Sequence, residues 1–323
     1  MLQKFLHDLN TPRPRYKIAD DLRSQKLGYY YFVFEENRIS KGRDQKLLKN
    51  FDERGIPLNA TYIDVEDQEY VYFPITIGQM GLAVFHSWLQ SNRNSDKERF
   101  LNFANWFADN ADISNEAGAY WYTKVPLPQY HNPGPWQSAF SQARALNILL
   151  RGYQITNKRD WVELAKLAIK PFTIGVDEGG VTRFTEYGAF YEEYTAKTPT
   201  LVLNGMIFAL FGIFDFCRVF PEDKEAVEIF NEGINTLTKI LPQYDLGYWS
   251  RYNLCQAEWY PEIDPATIQY QRLHIVQLQV LYQITGREEF LKYIHKFSKQ
   301  DTLINAVRMY KTKYKSLKKI NRL

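Results

Sequence analysis

The chain has 323 residues, 45% hydrophobic and 24% charged, a balance that excludes wholesale disorder and fits one large domain or a core domain with a smaller appendage. A net charge of only +3 gives no expectation of a nucleic-acid partner, and two cysteines, Cys217 and Cys255, are too few for a disulfide framework or a zinc site. Aromatics are the outlier, with 23 Tyr, 21 Phe and 7 Trp; such side chains fill a helical core or offer faces to sugar rings.

Residues 1–75 carry short β-leaning runs, Tyr29–Phe34 and Tyr70–Phe73, separated by charged and Gly/Pro-bearing turns. Met1–Asn10 lacks the continuous apolar stretch of a signal peptide, and no later run approaches the ~20 residues of a membrane span. A soluble, cytoplasmic protein is expected. From Ile75 onward the apolar period becomes helical. Helix pairs are expected over Ile77–Gln90 and Asp96–Asn110, Trp136–Thr156 and Asp160–Ile169, Val202–Val219 and Lys224–Ile240, and Thr267–Thr285 and Glu288–Phe297. Short turns make the partners antiparallel neighbours, and four such hairpins suggest an incomplete ring. Tyr153-Gln-Ile-Thr156 recurs as Tyr282-Gln-Ile-Thr285 at the same place in its hairpin, which supports a repeated unit. The expected domains are a β-containing region at 1–75, a helical domain at 76–298 and a basic C-terminal tail at 299–323, read as solvated and frayed or as a contact for an anionic membrane or polymer.

The longest irregular stretches, Asn110–Pro135, Pro171–Thr200 and Tyr244–Pro265, are expected to carry the site. The second holds Phe190-Tyr-Glu-Glu-Tyr194, two carboxylates between phenols, and Asn204-Gly205 follows. Glu193 suits a base and a tyrosine suits a proton donor, although the same five residues also read as an amphipathic segment with its aromatics in the core. There is no phosphate loop, dinucleotide fingerprint or His-Glu-x-x-His, and His7, His86, His131, His274 and His295 show no metal-ligand spacing. Neither a cofactor nor a metal is expected, although calcium held by scattered oxygens would leave no such signature.

Tyr72-Phe-Pro-Ile-Thr-Ile-Gly-Gln-Met-Gly-Leu82 resembles a segment of the D-glucuronyl C5-epimerases, enzymes that make heparan-type polysaccharides. Further matches follow in order: Trp136-Gln-Ser-Ala139 with Gln142, Pro171-Phe172, Gly180-Val181, Tyr191-Glu-Glu-Tyr194, Val202-Leu-Asn-Gly205, Leu241-Pro242, Tyr244-Asp245, and Tyr270 with His274-Ile275. The resemblance implies a mainly α fold, an incomplete (α/α) toroid preceded by β structure. It places catalytic groups at Glu193, Tyr194, Tyr252 and Tyr270, and substrate-binding groups at Gln79, Trp136, Gln142, Tyr191 and Asn204. Animal-type members carry a membrane anchor and a longer N-terminal region, so the resemblance implies a compact soluble relative. The sequence departs from the family at Thr195, where a proline is usual, and at Tyr252-Asn-Leu-Cys-Gln256, which lacks a basic pair. These departures bear on which polymer is used more than on the chemistry.

Inverting C5 of a hexuronate means removing a proton beside a carboxylate and returning one on the opposite face, so the site must neutralise that carboxylate. Arg251, Arg272 and His274 are the candidate carboxylate partners, each with an ordinary surface or packing role as the alternative. The expected partner is an anionic uronic-acid polysaccharide, with peripheral membrane contact through the tail and a homodimer as further expectations. The competing readings are a uronate lyase or glycoside hydrolase on the same architecture, or a silent polysaccharide-binding protein.

Overall fold

In the computed structural model, residues 16–36, 50–62, 64–66 and 69–322 are described. Residues 1–15, with His7 and the Met1–Asn10 stretch, lie outside them, as do residues 37–49.

Helical spacing of apolar residues, broken by short polar turns, sets up four antiparallel pairs. They are α1 (Pro74–Ser91) with α2 (Asn94–Asp109), α3 (Ala139–Thr156) with α4 (Arg159–Ile169), α5 (Leu203–Val219) with α6 (Lys224–Ile240), and α7 (Ile268–Thr285) with α8 (Glu288–Gln300). The first member of each pair forms an inner layer in which α1 packs on α3, α3 on α5 and α5 on α7. Each second member lies outside its own partner. The fold is an incomplete (α/α) toroid. The layers follow from composition: α3 and α5 are buried almost all round, whereas α6 buries one stripe of Ile229, Phe230, Ile234, Leu237 and Ile240. At Gly212 a Cβ would lie 2.4 Å from that of Ala143, so glycine lets α5 close onto α3.

The repeated Tyr-Gln-Ile-Thr ends an inner helix both times. The following residue, Asn157 or Gly286, takes a left-handed conformation, and its N–H returns to the Tyr153 or Tyr282 carbonyl at 2.7 Å. Thr156 and Thr285 bond the carbonyls of Gly152 and Leu281 one turn back. The repeat is a helix-stop signal used at equivalent places in the ring.

The C-terminal ends of the inner helices are sealed by residues 16–36. Arg23 donates to the Gln283 and Ile284 carbonyls at 2.8 and 2.9 Å, Leu27 N–H to Gln154 Oε1 at 2.8 Å, and Arg218 Nε to the Ser24 carbonyl at 2.8 Å. Tyr29–Phe34, expected as a strand, makes only the isolated bridge Ile18–Phe32. Tyr30, Tyr31, Phe32 and Phe34 are all buried, so side chains from both sides of the segment enter the core and no strand face is left to alternate with solvent. Beneath this plug Asp215 accepts from Arg151 (2.6 Å), Asn147 (2.7 Å), Tyr31 (2.7 Å) and Arg218 (3.3 Å).

Small antiparallel sheets decorate the ring: β1 (Asn50–Phe51), β2 (Pro57–Ala60) and β3 (Tyr70–Val71) in that order, β4 (Asp112–Ser114) with β5 (Gly118–Tyr120), and β6 (Thr182–Thr185) with β7 (Gly188–Tyr191). Among the described residues no helix is long and apolar enough to cross a membrane.

The basic segment expected as a tail is instead helix α9 (Leu303–Lys319), capped by the Thr302 side chain. It is docked on residues 244–265 by the Lys313–Asp264 ion pair (2.5 Å), Ser316 to the Ile263 carbonyl (2.6 Å) and Arg308 over the Tyr248 ring (3.9 Å). Ala306, Met309 and Ser316 form a buried stripe that the dense charge around it conceals in the sequence.

Candidate active site

With one end of the ring plugged, the loops gather at the other, where the N-termini of the inner helices converge. Strand β7 delivers Glu192-Glu193-Tyr194 to this end, and the two carboxylates have separate environments. Glu192 is fully buried and accepts from Thr200 N–H (2.9 Å), Thr200 Oγ1 (2.6 Å) and Leu201 N–H (2.9 Å), while its carbonyl accepts from Ala139 N–H at the start of α3 (2.8 Å). It fastens the loop. Glu193 turns toward α5, where Asn204 Nδ2 donates to its Oε2 at 3.2 Å. A Cβ on Gly205 would sit 2.4 Å from the Glu193 Cβ and 2.5 Å from Oε2, so the Asn-Gly pair supplies both a donor and the space for the carboxylate.

Burial pushes the Glu193 carboxyl up to about 7, against the pull of hydrogen bonds from Tyr194 and Asn204. It therefore exchanges its proton near neutrality. Burial likewise holds the Tyr194 and Tyr252 phenols well above their usual 10, with the nearby Glu193 charge adding to it, so both stay protonated.

Three elements bring phenols to Glu193. The Tyr194 and Tyr252 hydroxyls are 3.4 Å apart, and the Tyr252 and Tyr270 ring centres 5.1 Å apart. Tyr252 is pinned at both backbone groups: its N–H donates to the Asp264 carbonyl (2.8 Å), and its own carbonyl accepts from Leu203 N–H (3.2 Å), capping α5. Tyr270 stands on the first turn of α7, its N–H donating to the Thr267 cap at 3.3 Å. Glu193 and Tyr194 are buried at the floor, whereas Tyr252 and Tyr270 are half-buried above it.

Two aromatic members are missing from the sequence reading. Tyr62, between β2 and β3, has its phenol raised by burial and then by the charges of Glu193 and Tyr270, which places it in the same cluster. Tyr130 lies 5.4 Å from the Tyr194 ring and stacks on Tyr260 at 5.3 Å. Both come from irregular segments with no local pattern, and their aromatic character is the only signal they give.

The other expected binding residues divide. Asn204 is at the site, Trp136 packs edge-on against Tyr194 at 5.2 Å with its indole N–H on the Val125 carbonyl, and Gln79 is half-buried on the second turn of α1. Gln142 is fully buried, and its amide bonds the carbonyls of Ala119 and Ala168, tying α3 to β5 and α4. Tyr191 points outward to the Ile229 carbonyl on α6 at 2.5 Å. Arg272 is held by Asp301 at 2.9 Å, and Arg251 donates to the Glu262 carbonyl within its own loop at 3.0 Å. His274 is fully buried with Nδ1 2.9 Å from Ser250 Oγ, and burial pushes it down to about 3, so it is neutral at physiological pH. The Gln142 amide N–H groups, the Tyr191 hydroxyl, the Arg272 guanidinium and His274 Nδ1 are thus engaged in packing and bracing contacts away from the tyrosines, which corrects the expectation that these residues face the substrate. The cations that do approach the cluster come from the C-terminal segment: Lys313 Nζ lies 5.6 Å from the Tyr252 ring centre, and the Arg322 guanidinium 5.9 Å from that of Tyr62.

Residues 112–299 match the family described as D-glucuronyl C5-epimerase C-terminus. An uncharacterized protein of Methanocaldococcus jannaschii is 26% identical over 269 residues, 77% of this chain and 85% of that one. The D-glucuronyl C5-epimerase of Caenorhabditis elegans is 25% identical over 235 residues, which are 68% of this chain but only 37% of the nematode protein. Among solved structures, cellobiose 2-epimerase from Spirochaeta thermophila DSM 6192 superimposes with a TM-score of 0.55 over 79% of this chain and 64% of that one, at 11% identity, a likeness of fold. A family match over more than half of the chain, on the segment that carries Glu193, Tyr194, Tyr252 and Tyr270, makes this protein a member of the D-glucuronyl C5-epimerase family.

Proposed function

We propose that this chain converts D-glucuronate to L-iduronate residues within a heparosan-like polysaccharide by moving protons at C5. The observation that carries the reading is the Glu193 carboxyl, buried, poised near 7 and surrounded by phenols that stay protonated. Glu193 takes the C5 proton, and the C–H electron pair passes into the adjoining carboxylate as an enolate. Phenol O–H groups and the N-terminal ends of α5 and α7 face the growing negative charge and stabilise it. A tyrosine on the opposite face returns a proton to C5, which inverts the centre and leaves a phenolate. The Glu193–Tyr194 hydrogen bond and the Tyr194–Tyr252 contact form a path by which the proton on Glu193 refills that phenolate.

Incubating the protein with an unsulfated glucuronate polymer in deuterated water, followed by NMR, is expected to show deuterium entering at C5 without added cofactor. A folded preparation that exchanges no C5 hydrogen in any uronate polymer rejects the assignment. An unsaturated product absorbing in the near ultraviolet would redirect it to a lyase.

Tyr270→Phe is expected to lower kcat by at least ~10² while polymer binding stays within a few-fold, since the ring remains and only the transferable proton is lost. Near-normal kcat with a raised KM would make Tyr270 a binding residue only.

A further inference from the structure

Next in the chain to two tyrosines of the cluster, His131 and Trp259 stack face to face, ring centres 4.1 Å apart and planes 10° from parallel. Both are exposed, Trp259 at 37%. Each is the chain neighbour of a buried tyrosine, and those two tyrosines, Tyr130 and Tyr260, stack on each other at 5.3 Å. The two pairs form a ladder whose inner rung, Tyr130, lies against Tyr194 at 5.4 Å. The outer rung is thus an exposed aromatic surface one chain step from the rings that lead to Tyr194.

The rung is braced from several sides. His131 takes a left-handed backbone conformation, φ 49°, unusual for a residue other than glycine, and it does so where its ring covers Trp259. Lys319 donates to the carbonyls of Glu258 and Tyr260, on either side of Trp259, at 3.0 and 2.6 Å. Arg322 bonds the Gln129 side chain in the turn that leads to His131, and pairs with Asp64 at 3.2 Å. Both arms of the platform are thus held by cations of the C-terminal segment, beyond the residues that match the family.

We infer that His131 and Trp259 form a sugar-binding subsite for the pyranose next to the reacting uronate, with Lys319 and Arg322 holding its two arms in place. An exposed indole gives the apolar face that pyranose C–H groups pack on. This rests on the epimerase reading for the identity of the polymer.

The test compares Trp259→Ala, Trp259→Phe and His131→Ala in the full chain. It uses a size-defined unsulfated polymer of alternating glucuronate and N-acetylglucosamine, with binding by calorimetry and C5 exchange on the same samples. Trp259→Ala and His131→Ala are expected to weaken polymer binding and raise KM about three- to tenfold, the range of one aromatic contact, with kcat within twofold and Trp259→Phe close to the parent. Should Trp259→Ala fail to fold, the exposed His131→Ala decides alone. Parental binding by both alanine variants overturns the subsite, whatever the reaction. Tryptophan-dependent binding without C5 exchange in the parent supports the subsite and rejects the epimerase reading instead.

Discussion

Glu193→Gln is expected to remove C5 exchange almost entirely, a loss toward the upper end of the ~10²–10⁴ that a general acid–base group contributes. Glutamine has the shape of glutamate and can still accept from Asn204, but it cannot take a proton. The pH dependence gives an independent check. Burial raises the Glu193 carboxyl from 4.5 to about 7, so parental kcat/KM should climb as pH rises through that region and the base ionises. Stability should run the other way. Below 4.5 the folded and unfolded carboxyls both hold a proton. Between 4.5 and 7 the unfolded chain releases it while the folded one keeps it, so the fold loses stability as pH rises, and the loss is complete above 7. Glutamine does not titrate, so urea denaturation should find the variant gaining on the parent from acid to pH 8. Retained activity in Glu193→Gln would transfer the base role elsewhere.

The neighbouring Glu192 is the natural comparison, because the two carboxylates are adjacent in the sequence but differ in their surroundings in the fold. Burial raises Glu192 as well, but two backbone N–H groups and a hydroxyl oppose it. Those donors bind Glu192 to the loop that it holds. Glu193 has Asn204, Tyr194 and the gap left by Gly205, an arrangement that leaves its carboxylate turned to the phenols. Which of the two carboxylates is tied into the loop and which turns to the phenols is set by where β7 ends relative to α5, a tertiary fact.

The helix pairs were legible because each carries a long apolar period closed by a local stop, such as Asn157 or Gly286. Their observed ends agree with the periodicity to within about three residues. Glu193 and Tyr194 stood out in the sequence as part of a carboxylate pair between phenols, whereas Tyr252 and Tyr270 were singled out only through the family resemblance, since their loops have no period. The same resemblance marked Gln142, Tyr191 and His274, whose polar contacts brace the frame, as do those of Arg272, a candidate on charge alone. A motif retains residues for packing as readily as for chemistry, and a buried amide tied to two carbonyls reads in sequence like a ligand. Tyr62 and Tyr130 escaped for the converse reason: they reach the site from segments without pattern. Helix α9 was obscured by its charge, because Ala306 and Met309 are few among many cations, and several of those cations themselves help to dock it.

Asp215→Ala is expected to be the most destabilising single change, at about 3–5 kcal/mol, with the active-site end left intact in molecules that remain folded. Asp215 sits at the plugged end of the ring with no exposed surface, and it answers two guanidinium groups, Arg151 at 2.6 Å and Arg218 at 3.3 Å. Removing it strands both cations where water cannot reach them, takes the acceptor of the Asn147 amide, and leaves the Tyr31 hydroxyl only the longer bond to the Phe211 carbonyl at 3.3 Å. Such a penalty exceeds the net worth of the pairs themselves, because the desolvation of the arginines persists after the attraction is gone. Tyr31 belongs to the N-terminal plug, Asn147 and Arg151 to α3, and Arg218 to α5, so one carboxylate joins three parts of the ring. Urea titrations of Asp215→Ala and Asp215→Asn against the parent test the argument. Asn keeps the shape and one acceptor, so it should fall between the other two. A loss under about 1 kcal/mol for Asp215→Ala would mean that the arginines find other partners or water, and that the plug is held by its aromatic contacts instead.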